Sequence, residues 1–259
     1  MEIIGRGFLA RSLGPIAHRH PDTVAVAAGV SWASQTSAAD FDRERALIRE
    51  TACRCRAEGS RLLFFSTAAA AMYGAVDGPA REDGPTRPLN PYGTHKLALE
   101  GWLRGSGTRH LTLRLGHLVG PAQPPHQLVP SLVAQVRRGT IRIHRGAVRD
   151  LVHVEDAVTL VDHLLERALD GETVNVASGH AAPVAGIVDH LAHRLGAEPR
   201  REYLDVGPAV AVAPSICTAK LRGLVPEAAA MGFGPGYHRQ VLDRYLGAAG
   251  VPPEPVPCR

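Results

Sequence analysis

The 259-residue chain is poor in aromatic residues and lysine, and it contains no long apolar run. Phe, Trp and Tyr make up only 5% of the residues, and the net charge of +4 comes mostly from arginines spread along the chain. A nucleic-acid-binding tract would instead cluster basic residues among aromatic ones. The longest apolar stretches fall well short of the roughly 18 residues needed to cross a bilayer. We therefore expect neither nucleic acid nor a membrane as a partner.

Cysteine is also scarce, and its placement predicts no metal site. The four cysteines have neither CxxC nor zinc-ligand spacing: Cys53, Cys55, Cys217 and Cys258. The 13 histidines are likewise scattered without metal-ligand spacing. The N-terminal stretch "MEIIGRGFLARSL" contains Glu2 and lacks a cationic start before a long apolar run, so we expect no signal peptide. These features predict a cytoplasmic protein with free thiols and no metal.

What the sequence does contain is a regular alternation of strands and helices in its first half. Apolar strands such as "TVAVAAGV" and "RLLFFST" are separated by helical segments such as "FDRERALIRETACRCRAEG", which Gly59 closes. Helix "FLARSLGPIAHRH" covers residues 8–20, and helix "PYGTHKLALEGWLRG" covers residues 91–105. Continuous apolar strands alternating with helices predict a parallel sheet covered on both faces, the α/β, Rossmann-type doubly wound fold.

A glycine motif follows the first predicted strand. The stretch "IIGRGFLA" reads G-x-G-x-x-A, with Gly5, Gly7 and Ala10 between a strand and a helix. Glycines there allow a tight turn, and the helix N-terminus offers free N–H groups to a pyrophosphate. Glycine pairs are also common in ordinary turns, and this chain has 27 glycines. It is the strand–turn–helix context that predicts a dinucleotide site.

A tyrosine and a lysine stand one helical turn apart in "NPYGTHKLALE". Asn90 suits an N-cap and Pro91 the first helical turn, so Tyr92 and Lys96 share one helix face. An ammonium beside a phenol favours the phenolate and lowers the pKa of the tyrosine toward neutrality. The phenol then becomes usable in acid–base catalysis. The alternative is a surface tyrosine beside an unrelated lysine, yet the chain has only one other lysine, Lys220.

These stretches and others resemble, in order, the extended short-chain dehydrogenase/reductase superfamily, and within it the NAD-dependent epimerase/dehydratase family that acts on nucleotide sugars. The resemblance runs nearly end to end, through "IIGRGFLA", "VAVAAGVS", "LLFFSTAAAAMYG", "RPLNPYGTHKLALE", "LRLGHLVGP", "VRDLVHVEDAV", "VNVASG" and "TAKLRGLVPE". It implies an NAD(P)-binding Rossmann domain formed mainly by residues 1–120, with a further strand from residues 150–178. Residues 121–259 then form mainly a small substrate-binding lobe.

The resemblance also implies roles for individual residues. Tyr92 is the acid–base residue, and Lys96 binds the nicotinamide ribose and lowers the pKa of the tyrosine. The implied contacts to NAD or NADP are Gly5, Arg6, Gly7, Phe8, Leu9, Ala27, Ala28, Ser66, Tyr92 and Lys96. Arg149 matches an arginine that binds the substrate diphosphate, which suits a guanidinium fork; its alternative partner is Asp150. His117, where many relatives have asparagine, either contacts substrate or cofactor or is a core histidine.

Two departures from the family pattern are informative. First, the chain passes from "RHPD" directly to "TVAVAAGVS", so about three early elements, with the acidic residue that binds the adenosine ribose, are missing. We expect a narrowed sheet and an open adenosine end, where Arg6 and Arg11 favour NADP over NAD. Second, the family often has a hydroxyl that polarises the substrate carbonyl four residues before the tyrosine that corresponds to Tyr73. This chain has Ala69 at that position.

The predicted strand "RLLFFST", which ends just before Ala69, offers two other hydroxyls, Ser66 and Thr67. We expect Thr67 to polarise the substrate carbonyl. The loop "AAAAM" after this strand has alanines where nucleotide-sugar 4,6-dehydratases have an acid pair. Alanine cannot transfer a proton, so we do not expect 4,6-dehydration.

The leading expectation is an NAD(P)H-dependent ketoreductase of a nucleoside-diphosphate 4-keto-6-deoxyhexose in secondary metabolism. The alternatives are a sugar-nucleotide epimerase, a reductase of a non-sugar ketone such as a polyketide, and a non-catalytic nucleotide-binding protein. A homodimer through the helices starting near Phe41 and Pro91 is expected.

Overall fold

The computed structural model describes residues 1–30, 37–74, 76, 78–205 and 215–251. The strands are β1 (Glu2–Ile4), β2 (Thr23–Val26), β3 (Arg61–Thr67), β4 (His110–Leu115), β5 (His117–Val119), β6 (Thr140–His144), β7 (Val148–Arg149), β8 (Leu151–His153), β9 (Glu172–Val176), β10 (Ala182–Pro183) and β11 (Arg200–Leu204). The α-helices are α1 (Phe8–Leu13), α2 (Ala38–Glu58), α3 (Ala70–Tyr73), α4 (Pro91–Gly105), α5 (Leu128–Arg137), α6 (Val154–Glu166), α7 (Val184–Arg194), α8 (Ala219–Leu224) and α9 (Tyr237–Ala248).

Five strands form one parallel sheet in the order β1-β2-β3-β4-β9. Strands β2 and β3 are buried along their whole length, as expected for strands covered on both faces. Helices α1 and α6 pack on one face through residues such as Leu13 and Val161. Helices α2 and α4 pack on the other face through residues such as Ile48 and Leu103. The predicted Rossmann-type α/β fold is confirmed.

The sheet is narrow on the side of β1. Glu2 of β1 lies opposite Val24 of β2, and among the described residues no strand lies on the other side of β1. The chain reaches β2 from α1 through a single 3₁₀ segment. The prediction of one helix over residues 8–20 is wrong in its second half: α1 ends at Leu13, because Pro15 has no N–H with which to continue the α-helical ladder.

The shortened connection is fixed to α6 by charged side chains. His20 is buried, and its Nε2 lies 2.7 Å from Oδ1 of Asp162. Arg19 forms ion pairs with Asp162 and with Glu166. These contacts tie the turn that leads into β2 to the helix covering that face of the sheet, so the shortcut from α1 to β2 is itself held in place.

Helices α2 and α4 begin and end at residues that satisfy their terminal backbone groups. Ser37 and Asp40 form a capping box at the start of α2, and Gly59 ends that helix in the left-handed conformation at φ 71°. Asn90 accepts a hydrogen bond of 2.9 Å from the Gly93 N–H at the start of α4. Helix α4 lies over the predicted residues 91–105, whereas α2 begins at Ala38, three residues before the predicted start at Phe41, because the Ser37 cap sets its first turn.

The second half of the chain forms a separate core of its own. Helices α5, α7 and α9 pack with β6 through residues such as Val133, Ile143, Leu191 and Leu242. Strands pair there as β5–β8 and β6–β11 in parallel and β7–β10 antiparallel. Sequence analysis missed six of these strands, since each is too short, at two to five residues, to show a reliable alternation. The predicted domain boundary near residue 120 stays a prediction.

Membrane-spanning and metal-binding features were searched in the described part of the chain. None of its helices is long and apolar enough to cross a membrane. Its His, Cys, Asp and Glu side chains form no group of three or more that could hold a metal ion. Cys53, Cys55 and Cys217 are free thiols, and Cys258 lies outside the described residues.

Candidate active site

A cavity of about 1570 Å³ lies at the carboxyl ends of the first four sheet strands and extends to α5, β6 and β7. Open α/β sheets bind their ligands in this position. The cavity wall brings together the following predicted site residues: Arg6, Gly7, Phe8, Leu9, Ala27, Ala28, Ser66, Thr67, Tyr92, Lys96, His117 and Arg149. Gly5, the first glycine of that turn, does not line the cavity.

The two glycines of the first turn have different tasks. Gly5 has φ +139°, and a Cβ there would lie 2.6 Å from the carbonyl oxygen of Ala27, so only glycine allows this turn to approach the end of β2. A Cβ at Gly7 would meet nothing within 4 Å. Gly7 precedes α1, whose first N–H groups receive no side-chain cap. This arrangement fits a pyrophosphate group.

The side of the cavity that is expected to hold the adenosine offers few side chains that could bind it. Arg6 lines the cavity, whereas the guanidinium of Arg11 donates to the carbonyl oxygens of Arg6, at 2.9 Å, and Ala122, at 3.2 Å. Since α1 leads through one 3₁₀ segment to β2, which lies on the inner side of β1, the described part of the chain has no strand on the outer side of β1 that could present an acidic ribose ligand. The described residues therefore fit a dinucleotide at its pyrophosphate, and among them no acidic residue is placed to hold the ribose.

Tyr92 and Lys96 lie one turn apart on α4, as predicted. The Lys96 ammonium is 5.7 Å from the centroid of the Tyr92 ring, which is half-buried in the cavity wall. Burial raises the pKa of the Tyr92 phenol; Lys96 acts in the opposite direction, and Glu44 adds to the rise. The expected shift toward neutrality is therefore wrong, because desolvation outweighs the ammonium. The phenol keeps its proton near neutral pH.

Lys96 is held by two protein acceptors. Its ammonium donates to Oε1 of Glu44 at 2.6 Å and to the carbonyl oxygen of Phe65 at 3.1 Å. Glu44 also lies 3.0 Å, through Oε2, from Nε2 of His95. Sequence analysis missed Glu44. The available signal was its position on α2, where it stands on the same inward face as Ile48 and Cys55.

The two candidate hydroxyls on β3 have different hydrogen bonds. The Thr67 oxygen accepts the backbone N–H of Ala69 at 3.2 Å, which leaves its own proton free to donate. The Ser66 hydroxyl donates to Oε1 of Glu100 at 2.5 Å and is thereby occupied. Geometry thus leaves Thr67 as the hydroxyl with an available proton on the cavity wall.

Behind Ser66, a buried polar network joins β3, β4, β9 and α4. The guanidinium of Arg114 donates to Glu100 at 2.7 Å and to the Tyr73 hydroxyl at 2.8 Å. The Tyr73 hydroxyl in turn donates to Asn175 at 2.7 Å. The network connects the strand that carries Thr67 with the helix that carries Tyr92, and every member has a partner, as buried polar groups require.

His117 and Arg149 lie together on the substrate-lobe side. Burial, with Arg149 nearby, lowers the pKa of His117 to about 3, so its imidazole is neutral. Its side chain makes no hydrogen bond with the described residues, which argues against a satisfied core histidine. Arg149 donates to the carbonyl oxygen of Val148 at 2.8 Å. Asp150 instead accepts bonds from Ser178 and the next residue, so the alternative of an Arg149–Asp150 pair is wrong.

The loop after β3 brings only small apolar side chains to the cavity. Ala68, Ala69 and Ala71 line the wall next to Thr67. Carboxyl groups are absent from this stretch of the wall, so the described loop has no residue able to remove and return a carbon-bound proton. The expectation that the protein does not catalyse 4,6-dehydration stays a prediction.

Sequence and structure comparisons relate this arrangement to known proteins. A UDP-glucose 4-epimerase of Azospirillum brasilense is 31% identical over 180 residues, covering 59% of this chain and 51% of that protein. A dTDP-6-deoxy-L-talose 4-dehydrogenase (NAD(P)(+)) of Kitasatospora kifunensis is 30% identical over 190 residues, which cover 68% of this chain and 59% of that protein. The chain thus spans about half the length of the sequence relatives it matches.

The solved structure of RMD from Pseudomonas aeruginosa, complexed with NADPH, superposes with a TM-score of 0.74 at 20% identity, over 95% of this chain and 97% of that one. At this identity the likeness shows the fold alone. The family itself is shown by sequence, because residues 12–177, more than half of the chain, match the model for one family. The chain belongs to the NAD dependent epimerase/dehydratase family.

Proposed function

We propose that this protein is an NAD(P)H-dependent ketoreductase of the extended short-chain dehydrogenase/reductase type. Its substrate is a nucleoside-diphosphate 4-keto-6-deoxyhexose, and its context is deoxysugar biosynthesis in secondary metabolism. The observation that carries the proposal is the pair of proton donors in one cavity wall, the Tyr92 phenol and the Thr67 hydroxyl, with Lys96 beside them. Two O–H donors facing one cavity suit a carbonyl oxygen that becomes an alkoxide.

The residues divide the work of carbonyl reduction. A bound nicotinamide cofactor supplies the hydride. Tyr92 delivers a proton to the carbonyl oxygen, which its raised pKa allows because the phenol stays protonated near neutral pH. Thr67 donates a hydrogen bond to the same oxygen with the proton that Ala69 leaves free. Lys96 presents to the cofactor ribose the one N–H that Glu44 and the backbone do not occupy.

Arg149 and His117 are proposed to bind the substrate. The guanidinium of Arg149 lines the cavity and has no carboxylate partner among the described residues, so it can meet diphosphate oxygens. His117 beside it is neutral and can exchange hydrogen bonds without adding charge. The sequence similarity to a dTDP-6-deoxy-L-talose 4-dehydrogenase supports a nucleotide-linked deoxysugar as the substrate.

The second candidate function is sugar-nucleotide epimerisation. It is favoured by the 31% identity to a UDP-glucose 4-epimerase. An epimerase profits from never releasing its cofactor, because the same cofactor oxidises and then reduces the sugar. The described adenosine side, with β1 at the sheet edge, offers little to retain a cofactor in this way. We therefore favour ketone reduction over epimerisation.

The experiment is titration of the purified protein with NADPH and NADH, followed by addition of a nucleotide-linked 4-keto-6-deoxyglucose. We expect stoichiometric loss of the reduced-nicotinamide absorbance. Cofactor binding without loss of absorbance contradicts the ketoreductase proposal and directs attention to UDP-glucose epimerisation or to a polyketide-type ketone. Failure to bind either cofactor contradicts every catalytic proposal, and a non-catalytic role takes their place.

We also propose that the enzyme is cytoplasmic and forms a homodimer through α2 and α4. The outer face of α4 carries the small exposed residues Ala98 and Gly101, which allow a second copy to approach closely. Light scattering is expected to give twice the chain mass of 27.5 kDa. Ala98→Arg is expected to give the monomer mass, whereas Arg200→Ala, on the substrate lobe, is expected to leave the dimer intact. A monomeric wild-type protein contradicts the dimer.

A further inference from the structure

A buried ion pair lies directly behind the cofactor-facing lysine. Nζ of Lys96 lies 2.6 Å from Oε1 of Glu44, and both side chains are at most 4% exposed. Glu44 does not line the cavity, so it reaches the site only through Lys96. A Cβ on Gly29, at the end of β2, would lie 2.2 Å from Oε1 of Glu44 and 3.1 Å from the Lys96 ammonium. Glycine at this position therefore leaves room for the ion pair.

We propose that Glu44 is a positioning residue: its carboxylate fixes the ammonium of Lys96 on the cavity wall and offsets the positive charge of that ammonium beside Tyr92. The inference rests on the proposed function for its effect on catalysis. Its effects on cofactor binding and on the Tyr92 phenol require no sugar substrate.

The hydrogen bonds of Lys96 give the positioning argument. An ammonium has three donors on a flexible four-carbon stem. Glu44 and the carbonyl oxygen of Phe65 take two of them, so the third has one direction left, toward the cavity that Lys96 lines. Without the carboxylate the ammonium has a single protein acceptor and can turn about it. A ribose hydroxyl would then meet a mobile donor in place of a fixed one.

Glu44 is itself held from its other side. A carboxylate oxygen can only accept, so Nε2 of His95 must carry the proton in its 3.0 Å contact with Oε2. Burial lowers the pKa of His95, so the imidazole donates while neutral. The Phe41 ring covers His95 at 4.6 Å between ring centroids. Glu44 thus has one charged and one neutral donor, and its negative charge faces Lys96.

The charges around Tyr92 give the second part of the argument. The groups that act on the phenol are Lys96 from α4 and Glu44 from α2, and His95 and Arg45 lie beyond them. Lys96 lowers the pKa of Tyr92, whereas Glu44 raises it. Replacing the carboxylate by a neutral group leaves the ammonium unopposed, so the phenol should lose its proton at a lower pH. Ketone reduction needs the protonated phenol, so its alkaline limb should move to lower pH.

The test compares Glu44→Gln and Glu44→Asp with a matched control, Glu50→Gln, since Glu50 is an exposed carboxylate on the same helix. Cofactor affinity is measured by NADPH fluorescence. The Tyr92 phenol is titrated without substrate, from the alkaline difference absorbance between each protein and the same protein carrying Tyr92→Phe. Thermal unfolding of every variant is recorded beside these two measurements.

Glu44→Gln is expected to bind NADPH about tenfold more weakly, by analogy with the lower end of the loss seen when groups that orient metal-binding side chains are removed. Its Tyr92 titration is expected at lower pH, and Glu50→Gln should match the wild type in both measurements. Wild-type affinity together with a wild-type Tyr92 titration in Glu44→Gln overturns the proposal. A lowered Tm with both measurements unchanged also overturns it, because that result describes a merely structural acid.

If Glu44→Gln does not fold, Glu44→Asp decides. It keeps the charge but withdraws the carboxylate by one methylene, so NADPH binding should weaken while the Tyr92 titration stays near that of the wild type. Wild-type affinity in Glu44→Asp then overturns the proposal. If the wild type reduces no ketone, the proposed function fails, yet the affinity and titration results still test Glu44.

Discussion

The catalytic end and the adenosine end of the cavity are stabilised in different ways. At the catalytic end, the pairs Lys96–Glu44 and Arg114–Glu100 have side chains no more than 4% exposed. The adenosine end borders the edge strand β1, which has three residues; the ion pair of that strand, Glu2–Arg54, does not line the cavity, and its side chains are 49% and 39% exposed. The two buried ion pairs at the catalytic end thus lie on or directly beside helix α4, which carries Tyr92, the proposed proton donor.

This difference has an energetic basis. A buried charge requires a partner with good geometry, and a complete network of such partners fixes side chains in one arrangement. An exposed pair contributes little, since water and salt screen it. Substitutions at the catalytic end should therefore have large effects, and substitutions at the adenosine end should have small ones. The following changes test that ranking.

The largest effect is expected from Tyr92→Phe. Removing the proposed proton donor should lower kcat for ketone reduction by roughly 10²–10⁴-fold, the usual contribution of general acid catalysis. NADPH affinity should change little, because the ring remains in the cavity wall. The matched control is Tyr203→Phe, which removes an exposed hydroxyl from β11, outside the cavity. A Tyr92→Phe enzyme that keeps wild-type kcat contradicts the proposed role.

The next effect concerns stability. Arg114→Met leaves Glu100 buried without its cation, and the free energy of unfolding should fall by about 3–5 kcal/mol. Arg54→Met breaks the exposed pair at the β1 edge and should change it by less than about 1 kcal/mol. Urea unfolding of the two variants measures both values. Equal losses would mean that the buried pair and the exposed pair contribute alike to stability, contrary to the comparison.

The features that the sequence predicted correctly depend on local signals. Helix α4 was predicted over residues 91–105 and lies there, because Asn90 and Pro91 are local signals that need no tertiary partner. Strand β3 was likewise predicted over its observed residues, 61–67, from one continuous apolar run. The narrowed sheet followed from the direct passage between α1 and β2. Each of these features is encoded within a short stretch of the chain.

The features that were missed depend on pairs far apart in sequence. Glu44 and Lys96 are separated by 52 positions, and the contact forms only when α2 packs beside α4. The pKa of Tyr92 was expected to fall, because the lysine one turn away is visible in the sequence but the burial that outweighs it is not. That the Ser66 hydroxyl is occupied also could not be predicted, because its acceptor, Glu100, lies 34 positions away on α4.

A smaller kinetic effect should separate the hydroxyls of Thr67 and Ser66. Thr67→Val removes the proposed carbonyl donor and should lower kcat by roughly 10²-fold, the lower end of the loss when one donor to a developing oxyanion is removed. Ser66→Ala should keep most of the activity but lower the free energy of unfolding by about 1–3 kcal/mol, because Glu100 loses a buried donor. The reverse result, with activity lost at Ser66 and kept at Thr67, assigns the polarising role to Ser66.

The smallest effect is expected at the adenosine end. Arg6 lines the cavity, and its guanidinium is proposed to meet a 2′-phosphate of NADP. Arg6→Ala should therefore weaken NADPH binding a few-fold without changing NADH binding, since one exposed charge contact contributes little. Arg11→Ala is the control, because the guanidinium of Arg11 is occupied by the carbonyl oxygens of Arg6 and Ala122. A wild-type protein with marked NADH preference contradicts the proposed role of Arg6. A large loss in Arg6→Ala would instead show that the exposed end of the cavity matters as much for binding as the buried end does for chemistry.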